Sequence, residues 1–328
     1  MKRFPFLTHG ALLFTAMVWG GTFVAIKYLL DRIGPVGVVF LRIAPASLCF
    51  ALLLVVTVAP SPTNGVRWRG IPAFPATVWK RLVIIAITGG VVNNLALAYG
   101  QDYISAAMAS LIATSNPIFT AIFSRILIGE PLTRRKLAGI ALACCGFLII
   151  LFLGRGDGAT FSVDNAIGML IVMTAPLGWA IYTVISKPLL IEYQPHVVAG
   201  VTTIMSLFLL VPIFMADPGF FVELPAITLR DWLAVVAMSV LAIFVCYIIW
   251  YRGLRNLEPT QVAVYLYLVP FFGVLWAWLL LNESVTLWLI LGGATIISGV
   301  IVTNSGRRTV TAPIGQPLTH EYPTQTGP

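Results

Sequence analysis

Ten long apolar runs divide this sequence and leave few residues between them. Each run has about 20 residues, the length that a helix needs to cross the hydrocarbon core of a bilayer. The runs are continuously apolar and lack the alternation typical of strands in an outer-membrane barrel. They predict transmembrane helices at 10–30, 36–58, 81–100, 103–127, 136–153, 165–187, 196–215, 231–251, 259–281 and 286–303.

The composition excludes a water-soluble globular protein. Hydrophobic residues make up 59% of the 328 residues and charged residues only 10%. A soluble domain carries roughly 25% charged residues because its surface faces water. The net charge of +8 could suggest a nucleic-acid partner, but the basic residues lie in short loops between apolar runs. We therefore expect membrane lipid, and not nucleic acid, to surround the chain.

Lysine and arginine predict the orientation, because they are enriched in cytoplasmic loops. If the N-terminus is inside, the inner loops and tails hold fifteen of these residues. The outer loops then hold only Lys27, Arg32, Arg155 and Arg230, and Arg42 remains inside a span. This bias predicts a multi-pass membrane protein with both termini cytoplasmic.

The sequence also repeats itself at offsets of 152 to 160 residues. The recurring pairs are Trp19/Trp179, Lys27/Lys187, Pro35/Pro195, Tyr99/Tyr251, Pro117/Pro270, Glu130/Glu283, Thr133/Thr286, Gly139/Gly292 and Gly146/Gly299. The repeating unit contains five predicted helices, and five is odd, so the second copy must enter the membrane from the opposite side. The fold class predicted is an all-α integral membrane protein of ten helices in two inverted repeats, 1–155 and 156–305. Residues 306–328 are predicted to be a disordered cytoplasmic tail.

Several motifs resemble those of the EamA-type drug/metabolite transporters. They are Trp19-Gly20-Gly21-Thr22-Phe23, Leu41-Arg42, Gly129-Glu130-Pro131-Leu132-Thr133 and the second copy Asn282-Glu283-Ser284-Val285-Thr286. The resemblance implies ten helices, both termini inside and a central cavity lined mainly by helices 1, 3, 4, 6, 8 and 9. It also implies a location in the cell inner membrane and export of amino acids or related metabolites, including aromatic and small amino acids. The tryptophan motif is degraded in the second copy to Trp179-Ala180-Ile181-Tyr182, so the two halves of such a cavity would differ chemically.

Mid-depth side chains on those helices are the predicted substrate-binding residues. Aromatic rings would hold an apolar side chain, while amide and hydroxyl groups would bond the amino and carboxyl groups. The predicted set is Trp19, Asn94, Ser115, Trp179, Tyr182, Tyr247 and Tyr265. The alternative for the tryptophans is simple packing, and for the polar groups it is hydrogen bonding between helices. The less symmetric tryptophans, Trp232, Trp250, Trp276, Trp278 and Trp288, are mostly expected to face lipid or the interfacial belts.

Other residues have predicted roles in gating or structure. Pro117 and Pro270 occupy equivalent positions and are predicted hinges, with a static kink as the alternative. Glu130 and Glu283 are predicted to build turns at helix ends, where Thr133 and Thr286 can cap the next helix. Arg42 is an intramembrane charge, and its recurrence in the family implies a structural or helper role.

The absence of mid-span carboxylates and histidines bears on mechanism. Proton-coupled transporters usually bury a titrating group in the membrane, so a uniporter working by alternating access is an open option here. The alternatives are a lipid-linked sugar flippase of the same superfamily and, from a different class, an intramembrane enzyme. No catalytic residue, metal ligand or cofactor is predicted, and the partner is a small-molecule substrate carried by a monomer.

Overall fold

The computed structural model describes residues 4–58, 74–104, 106–153, 163–223, 227–281 and 287–305. Within these ranges the chain is helical apart from short turns, and it contains no strand. The helices are α1 (Phe4–Leu30), α2 (Pro35–Val58), α3 (Ala76–Ile85), α4 (Asn93–Tyr103), α5 (Ala106–Ala113), α6 (Asn116–Ile128), α7 (Arg134–Leu153), α8 (Val163–Glu192), α9 (Pro195–Ala216), α10 (Pro218–Glu223), α11 (Leu229–Val236), α12 (Cys246–Asn256), α13 (Pro259–Ala263), α14 (Leu268–Leu281) and α15 (Leu287–Asn304). The predicted disordered tail at 306–328 and the predicted turn residue Glu283 lie outside the described residues.

Six helical segments are long and apolar enough to cross a membrane. They are Leu7–Leu30, Pro35–Thr57, Ala76–Tyr103, Ala166–Glu192, Pro195–Ala216 and Leu229–Asn256. Helices suit this environment because a bilayer offers no water to satisfy exposed backbone groups. These segments confirm a multi-pass, all-helical membrane protein.

Proline and glycine fix several helix ends. Pro195 and Pro259 stand in the first turns of α9 and α13, where their missing N–H would have no intrahelical partner. Gly129 follows α6 with a φ of 68°, the left-handed conformation common after a helix C-terminus. The loop into α7 therefore begins with a residue that adopts this turn without steric cost.

Two π-helical segments interrupt otherwise regular helices. The first, Ala86–Val92, joins α3 to α4, and the second, Ala237–Val245, joins α11 to α12. A π-turn inserts an extra residue and rotates the side chains that follow it, and such segments are frequent at functional sites. The sequence predicted neither, because both segments have the same apolar composition as their flanks.

The predicted span 103–127 is broken in the structure. It consists of α5 and α6, separated by a turn at Thr114 and Ser115. Pro117 follows in the first turn of α6, so it begins a helix and does not kink one. Pro270 is likewise near the start of α14, after a 3₁₀ segment at Val264–Tyr267. The two equivalent prolines thus share a setting beside an irregular segment, and their role as hinges stays a prediction.

Glycines allow α7 and α15 to pack closely and antiparallel. A Cβ atom added to Gly139 would lie 2.7 Å from the carbonyl oxygen of Gly299, and one added to Gly146 would lie 2.6 Å from that of Gly292. Small residues are typical of membrane helix interfaces, because they let two backbones approach. This pair is the most extensive helix–helix contact of the described residues.

Trp250 is an exception to the expectation that most of the less symmetric tryptophans face lipid or the interfacial belts. Trp250, expected to face lipid or the belt, is only 1% exposed and packs against other aromatic rings. Its neighbours on α12, Tyr247 and Tyr251, are also buried, so this helix turns its aromatic face inward. Trp276 is partly buried and its Nε1 donates to the Met17 carbonyl oxygen at 2.9 Å, whereas Trp232 and Trp288 are exposed.

Candidate functional site

The main cavity lies between helices of the N-terminal and C-terminal halves of the chain. It encloses about 590 Å³ of empty space, open solvent at its mouth included. Its lining comes from α1, α2, α4, α5 and α6 on one side and from α8, α12 and the start of α14 on the other. The residues are Trp19, Thr22, Phe23, Arg42, Asn93, Leu97, Ser110, Ala113, Thr114, Asn116, Ala175, Pro176, Trp179, Tyr247, Leu266 and Val269.

Aromatic rings form one wall of this cavity. Trp19 and Trp179 meet edge to face with ring centroids 5.3 Å apart, and Tyr247 lies 5.3 Å from Trp179. Tyr182 stacks on Trp179 at 4.5 Å, and Trp250 lies behind Trp19 at 5.1 Å. Each such contact contributes about 0.5–1.5 kcal/mol beyond simple burial, so the rings hold one another in fixed orientations.

The π-segment before α12 helps to orient Trp19. The indole Nε1 of Trp19 donates a 2.8 Å hydrogen bond to the carbonyl oxygen of Ala242, which lies within that segment. The indole of Trp179 has no partner for its Nε1 among the described residues. The two symmetric tryptophans therefore differ: Trp19 is anchored to the other half of the chain, and Trp179 is held by ring contacts alone.

Polar side chains also line this cavity. The Nδ2 of Asn116 donates to the Pro176 carbonyl oxygen at 2.8 Å, and its Oδ1 accepts from the Thr120 hydroxyl at 3.0 Å. Asn116 is thus fixed in the structure between α6 and α8. The Thr22 hydroxyl donates to the carbonyl oxygen of Trp19 at 2.8 Å.

A smaller cavity of about 250 Å³ lies beside the first. Asn94 and Tyr182 line it, and Tyr247 lines both cavities. The Nδ2 of Asn94 donates to the Gly90 carbonyl oxygen at 2.7 Å in the preceding π-segment, while its Oδ1 has no partner among the described residues. The hydroxyl of Tyr182 is likewise buried without a partner there.

The predicted binding residues thus fall into three groups. Trp19, Trp179 and Tyr247 line the main cavity, and Asn94 and Tyr182 line the smaller one together with Tyr247. Ser115 and Tyr265 line neither.

The hydroxyls of Ser115 and Tyr265 form hydrogen bonds elsewhere in the structure. The hydroxyl of Ser115 donates to the Ile112 carbonyl oxygen at 2.7 Å, within the turn that separates α5 from α6. The hydroxyl of Tyr265 forms a 2.5 Å hydrogen bond with His9 Nδ1 near the start of α1. Ser115 and Tyr265 therefore lie outside the lining of both cavities, and their role in substrate binding stays a prediction.

Asn93, Thr22 and Asn116 line the main cavity but were not in the predicted set, and Arg42 was predicted to have a structural or helper role. The structure places the side chain of Arg42 on the wall of the main cavity. A signal for Arg42 was present, since a charge inside a membrane span is a functional candidate by default. Polarity at mid-depth marks Asn93 and Asn116 as well, but only the backbone geometry decides which of the adjacent Asn93 and Asn94 lines the main cavity.

Glu130 contributes to a charged cluster away from the cavities. Its Oε1 accepts from Lys136 Nζ at 3.0 Å, and Lys136 also pairs with Glu258. Thr133 accepts a hydrogen bond from the Lys136 backbone N–H at 3.3 Å. The cluster joins the loop before α7 to the start of α13, at the ends of these helices.

Comparison with known proteins places this architecture in a family. The model of the EamA-like transporter family matches residues 7–152 and 166–305. A solved structure shares the fold, with a TM-score of 0.70 at 20% identity, covering 90% of this chain and 95% of that one. An uncharacterized transporter of Archaeoglobus fulgidus is 28% identical over 91% of this chain and 97% of its own length. A probable terminal-alkyne amino-acid exporter of Streptantibioticus cattleyicolor is 26% identical over 92% of this chain and 93% of its own. The chain belongs to the EamA-like transporter family.

Proposed function

We propose that this transporter exports amino acids or related small metabolites across the cell inner membrane by alternating access. The observation that carries the proposal is the main cavity, in which aromatic rings and polar side chains from both halves of the chain surround one space. A cavity lined by both aromatic rings and polar groups suits a molecule with an apolar body and a polar head.

The proposed architecture is ten membrane spans in two inverted halves with both termini cytoplasmic. Support comes from the two separate segments matched by the family and from the contact between α7 and α15. Gly139 lies against Gly299, and Gly146 lies against Gly292. Since Gly139 corresponds to Gly292 and Gly146 to Gly299 in the sequence repeat, each contact is the counterpart of the other. Such reciprocity is what a two-fold axis produces.

The recurring lysines give further support for this relation. Lys27 Nζ donates to the Gln101 carbonyl oxygen at 2.8 Å, near the end of α4. Lys187 Nζ donates to the carbonyl oxygens of Leu254 at 2.5 Å and Leu257 at 2.7 Å, at the end of α12. The last carbonyl groups of a helix have no intrahelical donor, so each lysine satisfies the equivalent end of the equivalent helix.

The amino-acid substrate rests on two supports. One is the relative whose name describes a terminal-alkyne amino-acid exporter, at low identity. The other is the ring set of Trp19, Trp179 and Tyr247, with Asn94 and Tyr182 in the adjoining cavity. In the proposal the rings bind the side chain of the substrate, and the amide and hydroxyl groups bind its polar head.

Transport assays in proteoliposomes test this function. A panel of labelled amino acids is loaded, and efflux is measured with and without an imposed pH gradient. We expect counterflow without the gradient, because none of the cavity-lining residues is a carboxylate or histidine. Transport that stays absent until a pH gradient is applied would contradict the uniport mechanism, and no transport of any amino acid would refute the substrate class.

Two variants test the site in the same assay. Asn94→Ala should lower transport about tenfold, because removing one buried hydrogen-bond partner costs about 1–3 kcal/mol. Trp19→Ala should change which side chains are accepted. Trp288→Ala is the matched control, since that tryptophan is exposed on α15 and lines neither cavity. Normal transport of every substrate by both cavity variants would show that these residues only pack.

A further inference from the structure

The guanidinium of Arg42 is a buried charge that has no counter-ion among the described residues. Arg42 lies about two turns into α2, is 6% exposed and lines the main cavity. Two of its nitrogens, Nε and Nη1, are buried without a hydrogen-bond partner among the described residues. Arginine remains protonated in proteins, so the cation persists in the cavity wall.

Two other arginines have side-chain partners, unlike Nε and Nη1 of Arg42. Arg32 pairs with Asp231 at 3.1 Å, and Arg255 Nη1 donates to Gln194 Oε1 at 2.8 Å. The ion pairs of the described residues involve Asp231, Glu130 and Glu258, and none of them includes Arg42. An arginine with a purely structural role would be expected to have such partners, because an uncompensated buried charge is strongly destabilising.

The surroundings of Arg42 define what could compensate it. The Tyr247 hydroxyl is near enough to interact with it electrostatically, and this hydroxyl carries no formal charge that would neutralise it. The same cavity presents the rings of Trp19 and Trp179. A guanidinium binds a carboxylate through two parallel hydrogen bonds, an arrangement that lysine cannot reproduce.

We propose that Arg42 binds the carboxylate of the transported molecule, with the aromatic wall holding its apolar part. The inference rests on the proposed function and narrows it, since it requires an anionic group on every good substrate. It also explains why the charge is kept inside the membrane: the unbound cavity retains unsatisfied donors, and a carboxylate satisfies them on binding. Neutral or purely cationic analogues leave the guanidinium unpaired.

A matched pair of ligands tests the proposal on the intact protein in proteoliposomes. Each amino acid that the wild-type protein transports is compared with its carboxamide, as a competitor of labelled substrate. We expect the carboxamide to compete at least tenfold more weakly, since hydrogen bonds to charged groups contribute about 1.5–3 kcal/mol. In Arg42→Gln the amino acid should lose this advantage and the two ligands should compete equally.

Two further variants separate charge from folding. Arg42→Lys should keep part of the preference for the acid, because it retains the charge and loses the paired hydrogen bonds. Arg252→Gln is the matched control, since Arg252 is exposed on α12, and it should leave the preference unchanged. If Arg42→Gln does not fold, Arg42→Lys decides the matter, because its preference for the acid should be weaker than that of the wild-type protein.

The outcomes distinguish this inference from the proposed function. Equal competition by acid and carboxamide in the wild-type protein would overturn the role of Arg42 and leave amino-acid export intact. An Arg42→Gln protein that still prefers the acid would overturn it as well. If the wild-type protein transports no member of the panel, the proposed function fails, and the inference fails with it.

Discussion

Lys136 holds two carboxylates together at the junction of the two halves. Its ammonium lies 3.0 Å from Glu130 Oε1 and also pairs with Glu258, and it donates to the Pro131 carbonyl oxygen at 2.9 Å. Glu130 is 2% exposed and Lys136 only 5%. The second carboxylate oxygen of Glu130 accepts from the Thr260 backbone N–H at 3.4 Å. Replacing Lys136 with methionine keeps most of the side-chain volume and removes the charge, so two carboxylates lose their shared cation.

The expected loss of stability is large. At 3.0 Å the Lys136–Glu130 attraction is about 5–6 kcal/mol for an effective dielectric constant of about 20. The cost of burying both charges offsets part of this attraction. Breaking such a pair by removing one partner nevertheless costs about 3–5 kcal/mol, because the other charge stays buried. We therefore expect Lys136→Met to lower the free energy of unfolding by about 3–5 kcal/mol.

Equilibrium unfolding in mixed detergent micelles, followed by circular dichroism, measures this loss. Glu130→Gln combined with Lys136→Met should be more stable than Lys136→Met alone, because it removes one of the two facing charges. Arg135→Met is the matched control, since Arg135 is the exposed neighbour on the same turn of α7. A Lys136→Met protein as stable as the wild type would refute the assignment of this cluster as a stabilising junction.

Three further predictions follow from other parts of the fold. Gly139→Val should reduce the yield of folded protein measured by size-exclusion chromatography, because a Cβ there would lie within 2.7 Å of backbone atoms of α15. Gly10→Val is the control, since a Cβ at that position has no atom within 4 Å. Tyr247→Phe should weaken transport about tenfold at normal expression, since it removes a hydroxyl that lines both cavities. Cysteines replacing Arg3 and Arg308 should react with an impermeant thiol reagent only from the cytoplasmic side, and labelling of either from outside would refute the proposed topology.

Apolar run length predicted most of the helix positions. The predicted spans at 36–58, 136–153 and 196–215 agree within two residues with α2, α7 and α9. Length works because the bilayer thickness and the helix rise together require about 20 apolar residues. The family resemblance also predicted correctly that the chain is an EamA-type transporter.

The orientation of individual side chains was not predictable in the same way. Adjacent residues in a helix point about 100° apart, so choosing Asn94 over Asn93 needs the exact helical phase. The π-segment at Ala86–Val92 changes this phase immediately before both residues. The turn at Thr114–Ser115 likewise changes the helical phase at Ser115, and the 3₁₀ segment at Val264–Tyr267 changes it at Tyr265. These irregularities account for Ser115 and Tyr265 lying outside the cavities.

The buried state of Trp250 has a different cause. Its sequence neighbourhood is basic, since Arg252 and Arg255 follow within five residues, and tryptophan near such residues is typical of the interfacial belt. The structure turns the indole inward onto Trp19 at 5.1 Å, while Arg252 and Arg255 remain exposed. Composition alone could not separate these two faces of one helix, because the choice depends on the contact with α1.

The two π-segments explain how similar backbones can carry different chemistry. They occupy equivalent places in the proposed repeat, and each exposes carbonyl oxygens that an ordinary helix would bond internally. In the first half Asn94 from the same chain segment donates to the Gly90 carbonyl oxygen, whereas in the second half Trp19 from α1 donates to that of Ala242. The first segment is also bonded by the other half, because the Ser206 hydroxyl of α9 donates to the Ala86 carbonyl oxygen at 3.1 Å. If the proposed alternating access moves one half against the other, we expect the Trp19 and Ser206 hydrogen bonds to break and the Asn94 bond to stay intact, because only the last lies within one half.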